Sequence, residues 1–225
     1  MSNRAAIAAS LLIIGGAYWY SRQVQSANDS SADTLTNDTG DVLNSAAQNT
    51  LEFIDGATGG FLKISAMANV QPSILQDKNV QAILRVIRTG EGTADAGGYS
   101  RLYGGGTFSS YADHPRQKIT KWGITSTAAG AYQFLSSSWD ETRRLMGLKD
   151  FSPASQDLAA VGRIAARGAL PDVLAGRFTT AIRKINKEWA SLPGSPYGQR
   201  TLKFDAALAV YRGSGGLQIE QTALA

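Results

Sequence analysis

Val80-Gln81-Ala82-Ile83-Leu84-Arg85-Val86-Ile87-Arg88-Thr89-Gly90-Glu91-Gly92-Thr93 is the stretch on which the fold turns. Val80, Ile83, Leu84 and Ile87 recur at the spacing of one helical face. Gly90 is expected to end that helix, and Glu91 stands just past it. The stretch therefore predicts a core helix that delivers a carboxyl group to the core's edge. A carboxylate beside apolar groups loses hydration, so its pKa rises. The negative end of a helix dipole adds to that effect. A carboxyl in such a place can donate a proton near neutral pH. The same residues also suit a plain helix-ending turn, so spacing alone leaves both readings open.

Downstream, the pattern stays mostly helical. A glycine-rich, polar stretch from Gly92 to Gly106 carries Tyr99, Leu102 and Tyr103 and predicts a short hairpin or an irregular lobe. Tyr132–Met146 reads as a helix, with Phe134, Leu135 and Trp139 in the core. Ser152 before Pro153 is a strong helix start, with Ser as cap and Pro in the first turn. That helix runs to about Arg167, and Gly168 and Pro171 mark its end. Thr179–Ala190 predicts another helix, with Ile182, Ile185 and Trp189 facing inward, and Leu202–Tyr211 the last one. Pro193, Gly194 and Pro196 form the loop between them. The fold class expected is α+β, mostly α, with a small non-helical lobe near Glu91.

Upstream of Lys78 the composition changes. Ala5–Tyr20 is uncharged, rich in Ala, Leu, Ile and Gly, and closed by Tyr18, Trp19 and Tyr20, with Arg4 and Arg22 flanking it. It is slightly shorter than the roughly 20 apolar residues that span a bilayer core, but its aromatic residues suit the interface. Residues 1–22 are expected to be a transmembrane or signal-anchor segment, with a cleaved secretory signal as the alternative. Residues 23–77 read as a polar linker with a short amphipathic helix at Val42–Phe53, and with an apolar run at Phe61–Val70 that suits packing along the domain or a partner as well as it suits a loose linker; residues 78–225 read as the working domain.

Charge divides along the same line. Before Lys78 there are 3 Lys/Arg against 7 Asp/Glu, and from Lys78 onward 19 against 11. A basic domain concentrates near anionic polymers. No zinc-finger spacing or phosphate-binding glycine loop is present, so nucleic acid is not the expected partner. The absence of cysteine excludes a disulfide framework, a thiol nucleophile and a cysteine-ligated zinc. No metal or organic cofactor is implied.

A set of runs, in order, carries a resemblance. They are Gly90-Glu91-Gly92-Thr93, Tyr111-Ala112-Asp113-His114-Pro115-Arg116 and Ser126-Thr127-Ala128-Ala129-Gly130-Ala131-Tyr132-Gln133. Gly147-Leu148-Lys149-Asp150-Phe151-Ser152-Pro153 and Arg167-Gly168-Ala169-Leu170-Pro171 follow. Trp189-Ala190-Ser191-Leu192-Pro193-Gly194 and Tyr197-Gly198-Gln199 complete the set. From about Val80 to Gln199 the chain resembles the lambda-type endolysins, a family of lysozyme-like lytic transglycosylases. The resemblance implies a lysozyme-like domain that cuts the MurNAc–GlcNAc β-1,4 bond of peptidoglycan without water and leaves 1,6-anhydromuramyl ends. It maps the family's catalytic glutamate onto Glu91. Two departures stand out: the stretch between Gly92 and Tyr99 is shorter than in the family, and Ala131 replaces an expected Arg.

The partner so implied is the peptidoglycan glycan strand. Ser126, Tyr132, Gln133, His114, Tyr197 and Gln199 are the candidate substrate contacts. Phenol and amide groups suit hydroxyl and N-acetyl recognition. Tyr132 also suits a half-core position, and His114, the sole histidine, fits a loop-locking role better than a substrate contact. A hydrolytic muramidase would normally need a second carboxylate. Asp95 and Asp113 are the candidates, with Asp113 weighted toward structure. A non-enzymatic wall-binding virion component is the third reading. The apolar N-terminus implies a membrane-anchored protein with its domain outside the cytoplasm, or a virion-associated one in contact with other virion proteins.

Overall fold

The computed structural model describes residue 60 and residues 63–219. The expected anchor over 1–22 and the helix over 42–53 lie outside the described residues. Among the described residues no helix is long and apolar enough to cross a membrane.

The core is built around helix α1, Lys78–Gly90. Asp77 starts it, its carboxylate accepting the Asn79 and Val80 amides at 2.8 and 3.0 Å. Such a cap satisfies amides that the first turn leaves unpaired. Val80, Ala82, Ile83, Leu84, Val86 and Ile87 are all buried, so apolar contact surrounds most of α1. Upstream, residues 63–68 are helical and Pro72–Gln76 forms a 3-10 turn. Met67 is buried, and Val70, Ile74 and Leu75 pack against the core. The packed body thus takes in part of the stretch read as linker.

Four longer helices and one short one complete the helical part. They are α2, Ser136–Met146; α3, Pro153–Ala166; α4, Leu170–Leu174; α5, Phe178–Ile185; and α6, Phe204–Gly213. α1 packs most extensively on α6 and also meets α3 and α4; α2 lies on α3, and α4 on α5. Ser152 caps α3 as expected, its hydroxyl accepting the Ser155 amide, with Pro153 in the first turn.

Several boundaries differ from the sequence reading. Tyr132 and Gln133 are not helical. They lie in a tight turn that bridges Ala129 to Phe134, with Gln133 at φ 48°, and α2 starts only at Ser136. A left-handed residue and the Ala129–Phe134 bridge both stop a helix from extending backward. The helix expected to reach Ala190 ends at Ile185, because the Asn186 side chain turns to donate to the Pro193 carbonyl at 3.1 Å. Pro171 does not simply close a helix. It sits in the first turn of α4, where its missing amide is harmless.

The non-helical lobe spans Gly92 to Phe134. Two 3-10 turns, Gly98–Ser100 and Tyr103–Gly105, occupy the glycine-rich stretch. The only paired strands among the described residues are β1, Ile119–Lys121, and β2, Ile124–Ser126. They pair antiparallel, Ile119 with Ser126 and Lys121 with Ile124. Trp122 and Gly123 make the two-residue turn at φ 51° and 76°, as a primed turn requires. Under the lobe, Trp139, Phe151 and Phe134 meet edge-on, with Trp139 and Phe151 4.6 Å apart. That geometry suits the charge distribution of aromatic rings.

Candidate active site

Glu91 is the residue at the C-terminal boundary of α1. The termination is a Schellman motif: the Thr93 amide donates to the Arg88 carbonyl at 2.8 Å and the Gly92 amide to Thr89 at 3.2 Å. Gly92, at φ 70°, supplies the left-handed residue this motif needs, so Gly92 rather than Gly90 ends the helix. Gly90 stays within α1 and has a different use. A Cβ there would lie 2.7 Å from the Ser191 hydroxyl oxygen, so glycine is what lets that hydroxyl keep its place.

The turn after Glu91 is fixed from two sides. Arg85 donates to the Ala94 carbonyl, and Arg88 reaches the carbonyls of Thr93 and Asp95. Thr93, buried, donates its hydroxyl to the Ala131 carbonyl at 2.5 Å and so joins the end of α1 to the non-helical lobe. On the helical side, Ser191 donates to Glu91 Oε1 at 2.6 Å. The Ser191 loop is itself anchored: the Leu202 amide donates to the Ser191 carbonyl, and the Trp189 indole donates to the Tyr132 carbonyl. Glu91 therefore sits where the helical body and the lobe meet.

Its surroundings raise the Glu91 pKa to about 7, because burial disfavours the charged form and the Ser191 hydrogen bond only partly offsets that. The other acids behave differently. Asp95 accepts Arg101 at 2.7 Å and the Gly97 amide at 2.8 Å. Asp113 accepts the Trp139 indole, Arg143 and Arg116. Burial pushes Asp113 upward, but the Trp139 and Arg116 hydrogen bonds outweigh it and hold the carboxyl at about 2. Asp157 is raised by burial, yet it accepts the hydroxyls of Tyr132 at 2.6 Å and Tyr99 at 2.8 Å. Among the described residues no group of three or more His, Asp or Glu is placed to hold a metal ion.

The six other sequence candidates fall into two sets. Tyr132, Gln133 and His114 are buried, with their polar groups turned to protein partners. Tyr132 donates to Asp157, and the Gln133 amide donates to the Gly130 carbonyl at 2.9 Å. His114 accepts the Arg116 amide at Nδ1, which places its proton on Nε2, bonded to the Phe134 carbonyl at 2.8 Å. Nδ1 acting as acceptor marks the neutral ring, and burial lowers its pKa in the same sense. Ser126, Tyr197 and Gln199 are more accessible. Ser126 lies at the end of β2 and accepts the Ala128 amide, Tyr197 donates to the Lys187 carbonyl, and Gln199 is exposed. Of all these residues, none is hydrogen-bonded to Glu91. A cavity of about 410 Å³ bounded by Phe108, Asp113 and Gln117, among others, does not include Glu91 and is distinct from this centre.

Ser191 escaped the residue-by-residue reading, although it stands inside a quoted run, because a serine between Ala190 and Leu192 carries no chemical signature. Asp157 was hidden likewise, on a helix face that reads as solvated. Spacing cannot show contacts between residues 100 positions apart, such as Glu91 and Ser191.

A mostly helical body, a small hairpin lobe and one half-buried glutamic acid at their junction define a lysozyme-like protein. The bacteriophage lambda lysozyme complexed with a chitohexasaccharide has the same fold, with a TM-score of 0.60 and 40% identity over 63% of this chain and 96% of that one. The chain belongs to the endolysin family, whose model matches residues 81–218. The endolysin of Escherichia phage lambda is 47% identical over 120 residues, 53% of this chain and 76% of the relative. The endolysin of Escherichia phage P2 is 38% identical over 162 residues, 65% of this chain and 98% of the relative.

Proposed function

We propose that this endolysin degrades peptidoglycan as a lytic transglycosylase, with Glu91 acting first as acid and then as base. The observation that carries this reading is the contrast between carboxyls. Glu91 couples partial access to a pKa raised to about 7, while Asp95 and Asp113 are bound by arginines and Asp157 by two tyrosine hydroxyls. Hydrolysis with two carboxylates needs a second one free to activate water or attack the sugar.

In its acid form, Glu91 gives its proton to the glycosidic oxygen between MurNAc and GlcNAc. The C1–O bond breaks and the GlcNAc side leaves as an alcohol. The N-acetyl oxygen of MurNAc stabilises the electron-poor C1. Glu91, now a carboxylate, takes the proton of the C6 hydroxyl as that oxygen bonds C1. The 1,6-anhydro ring closes, the acid is restored and no water is consumed.

Ser126, Tyr197 and Gln199 have the exposure needed to meet the glycan. Tyr132, Gln133 and His114 act by shaping the turn from Ala129 to Phe134, the wall nearest Thr93. The basic excess from Lys78 onward favours the anionic wall. The uncharged Ala5–Tyr20 stretch supports a membrane-held or virion-associated enzyme whose domain acts outside the cytoplasm.

The test is mass analysis of fragments released from purified peptidoglycan by the full chain and by Glu91→Gln. Anhydromuramyl ends from the first and none from the second are expected. Reducing muramyl ends would replace the reading with a hydrolytic muramidase. Wall binding without cleavage would make the protein a non-enzymatic wall-binding component.

A further inference from the structure

Two features of the site have no part in the acid–base cycle as written. One is a serine from a distant loop held on the acid, and the other is a glycine at the last position of α1. Its φ is not in the left-handed region, so the backbone there does not require glycine. Gly90 is nonetheless the residue that the Ser191 side chain approaches, and any Cβ there would contact the Ser191 hydroxyl at 2.7 Å and its Cβ at 3.3 Å. The backbone around Ser191 is fixed by Leu202 and by the Trp189 indole, so the loop has little room to retreat. What can move is the hydroxyl itself, by rotation about its Cα–Cβ bond.

We infer that Ser191, admitted by Gly90, is the positioning residue of the reaction: its hydroxyl occupies Glu91 Oε1 and leaves Oε2 to carry the transferable proton. A neutral carboxylic acid has one O–H donor, and its other oxygen accepts. At 2.6 Å the Ser191 donor is bonded to Oε1, and among the described residues Oε2 has no hydrogen-bond partner. The bond also strengthens as Glu91 becomes a carboxylate, because hydrogen bonds to ions are the stronger kind. Ser191 thus favours the charge that develops as the proton leaves, an interaction larger in the transition state than in the ground state. Ser191 touches Glu91 rather than the glycan, so it acts through the acid.

This inference rests on Glu91 being the acid, and its test separates the two claims. Three full-length variants are compared with the parent: Ser191→Ala, Ser191→Thr and Gly90→Ala. Each is followed by NMR titration of the Glu91 carboxyl, by kcat and KM on soluble glycan strands across pH, and by thermal melting. Ser191→Ala is expected to move the Glu91 midpoint upward and to lower kcat tenfold or more, with KM within about twofold. Ser191→Thr, which keeps a hydroxyl, should restore most of both. Gly90→Ala adds no polar group and favours the helix, yet it should reproduce the Ser191→Ala titration by turning the hydroxyl away. An unmoved Glu91 midpoint in both alanine variants would overturn the inference, as would a kcat loss that follows melting temperature alone. If Ser191→Ala does not fold, the Gly90→Ala titration decides by the same criterion. Were the parent protein inactive on glycan, the catalytic reading would fall, but the titrations would still decide whether Ser191 controls Glu91.

Discussion

At the scale of single residues, Glu91 sets function against stability. A carboxyl whose folded pKa is raised from 4.5 to about 7 binds a proton more tightly folded than unfolded. Its contribution to stability is complete below pH 4.5 and is lost as pH rises to about 7. The full shift corresponds to at most about 3 kcal/mol, reduced by the solvent that still reaches the residue. Glu91→Gln should therefore be more stable than the parent at pH 8 and nearly equal to it at pH 4, as measured by paired denaturant melts. Equal stabilities at both pH values would mean that the carboxyl is not desolvated. The same variant should lose on the order of 10³-fold in activity, the scale of a general acid. In the parent, kcat/KM should fall as pH rises past about 7 and Glu91 loses its proton. Glu91 was legible in the sequence only through its Gly90-Glu91-Gly92-Thr93 context and the resemblance that context carries, because the helical spacing alone suits a plain helix-ending turn equally well. Ser191 was not, since its role exists only in the folded chain.

At the scale of elements, the end of α1 and the hairpin follow from backbone geometry. Gly92 is open to solvent, so alanine there meets no neighbour, only the cost of φ 70°. Gly92→Ala should lower stability by about 1–2 kcal/mol, and it should lower activity as well, because the same turn positions Glu91. Activity unchanged at an equal loss of stability would separate the Schellman turn from the site. Trp122 presents the opposite case, a bulky residue at φ 51° that stays 78% exposed. Trp122→Asn would create the Asn-Gly pair that type I′ turns favour and should raise the melting temperature by a few degrees. A fall would mean that the edge-on contact with Tyr103, 6.0 Å between centroids, outweighs the turn preference. The Ser152–Pro153 start was readable because caps are local. The turn from Ala129 to Phe134 was not, because Tyr132 and Gln133 follow a run of small residues that continues a helical pattern until Ala129, bridged to the distant Leu102 as well as to Phe134, breaks it.

At the scale of the whole molecule, two partly buried polar systems bind the parts together. Arg163 and Arg167, on α3 and at its end, hold Glu188 at 2.6 and 2.7 Å, and Arg163 also reaches Glu141 on α2. Removing one partner of a largely buried pair leaves an uncompensated charge, so Glu188→Ala should cost about 3 kcal/mol, read from chemical denaturation. A loss below about 1 kcal/mol would mean that solvent already screens the pair. Tyr99, Tyr132 and Asp157 form the second system and link the lobe to α3. The helical class, the lobe and the basic balance were all visible in composition and periodicity. The way the Ser191 loop reaches the Glu91 carboxyl from 100 residues away was not, because no local pattern encodes it. Wall binding should weaken with salt, since the Debye length falls from about 10 Å at 0.1 M to about 3 Å at 1 M. Binding to purified walls that ignores salt would remove charge from the account.

The central claim is that one carboxyl serves both halves of the reaction and water takes no part. Its most direct test is digestion of purified peptidoglycan by the full chain in water enriched in heavy oxygen, with the mass of each released muramyl end recorded. The account predicts anhydro ends that carry no heavy oxygen. Muramyl ends labelled at C1 would show that water attacks and would contradict it.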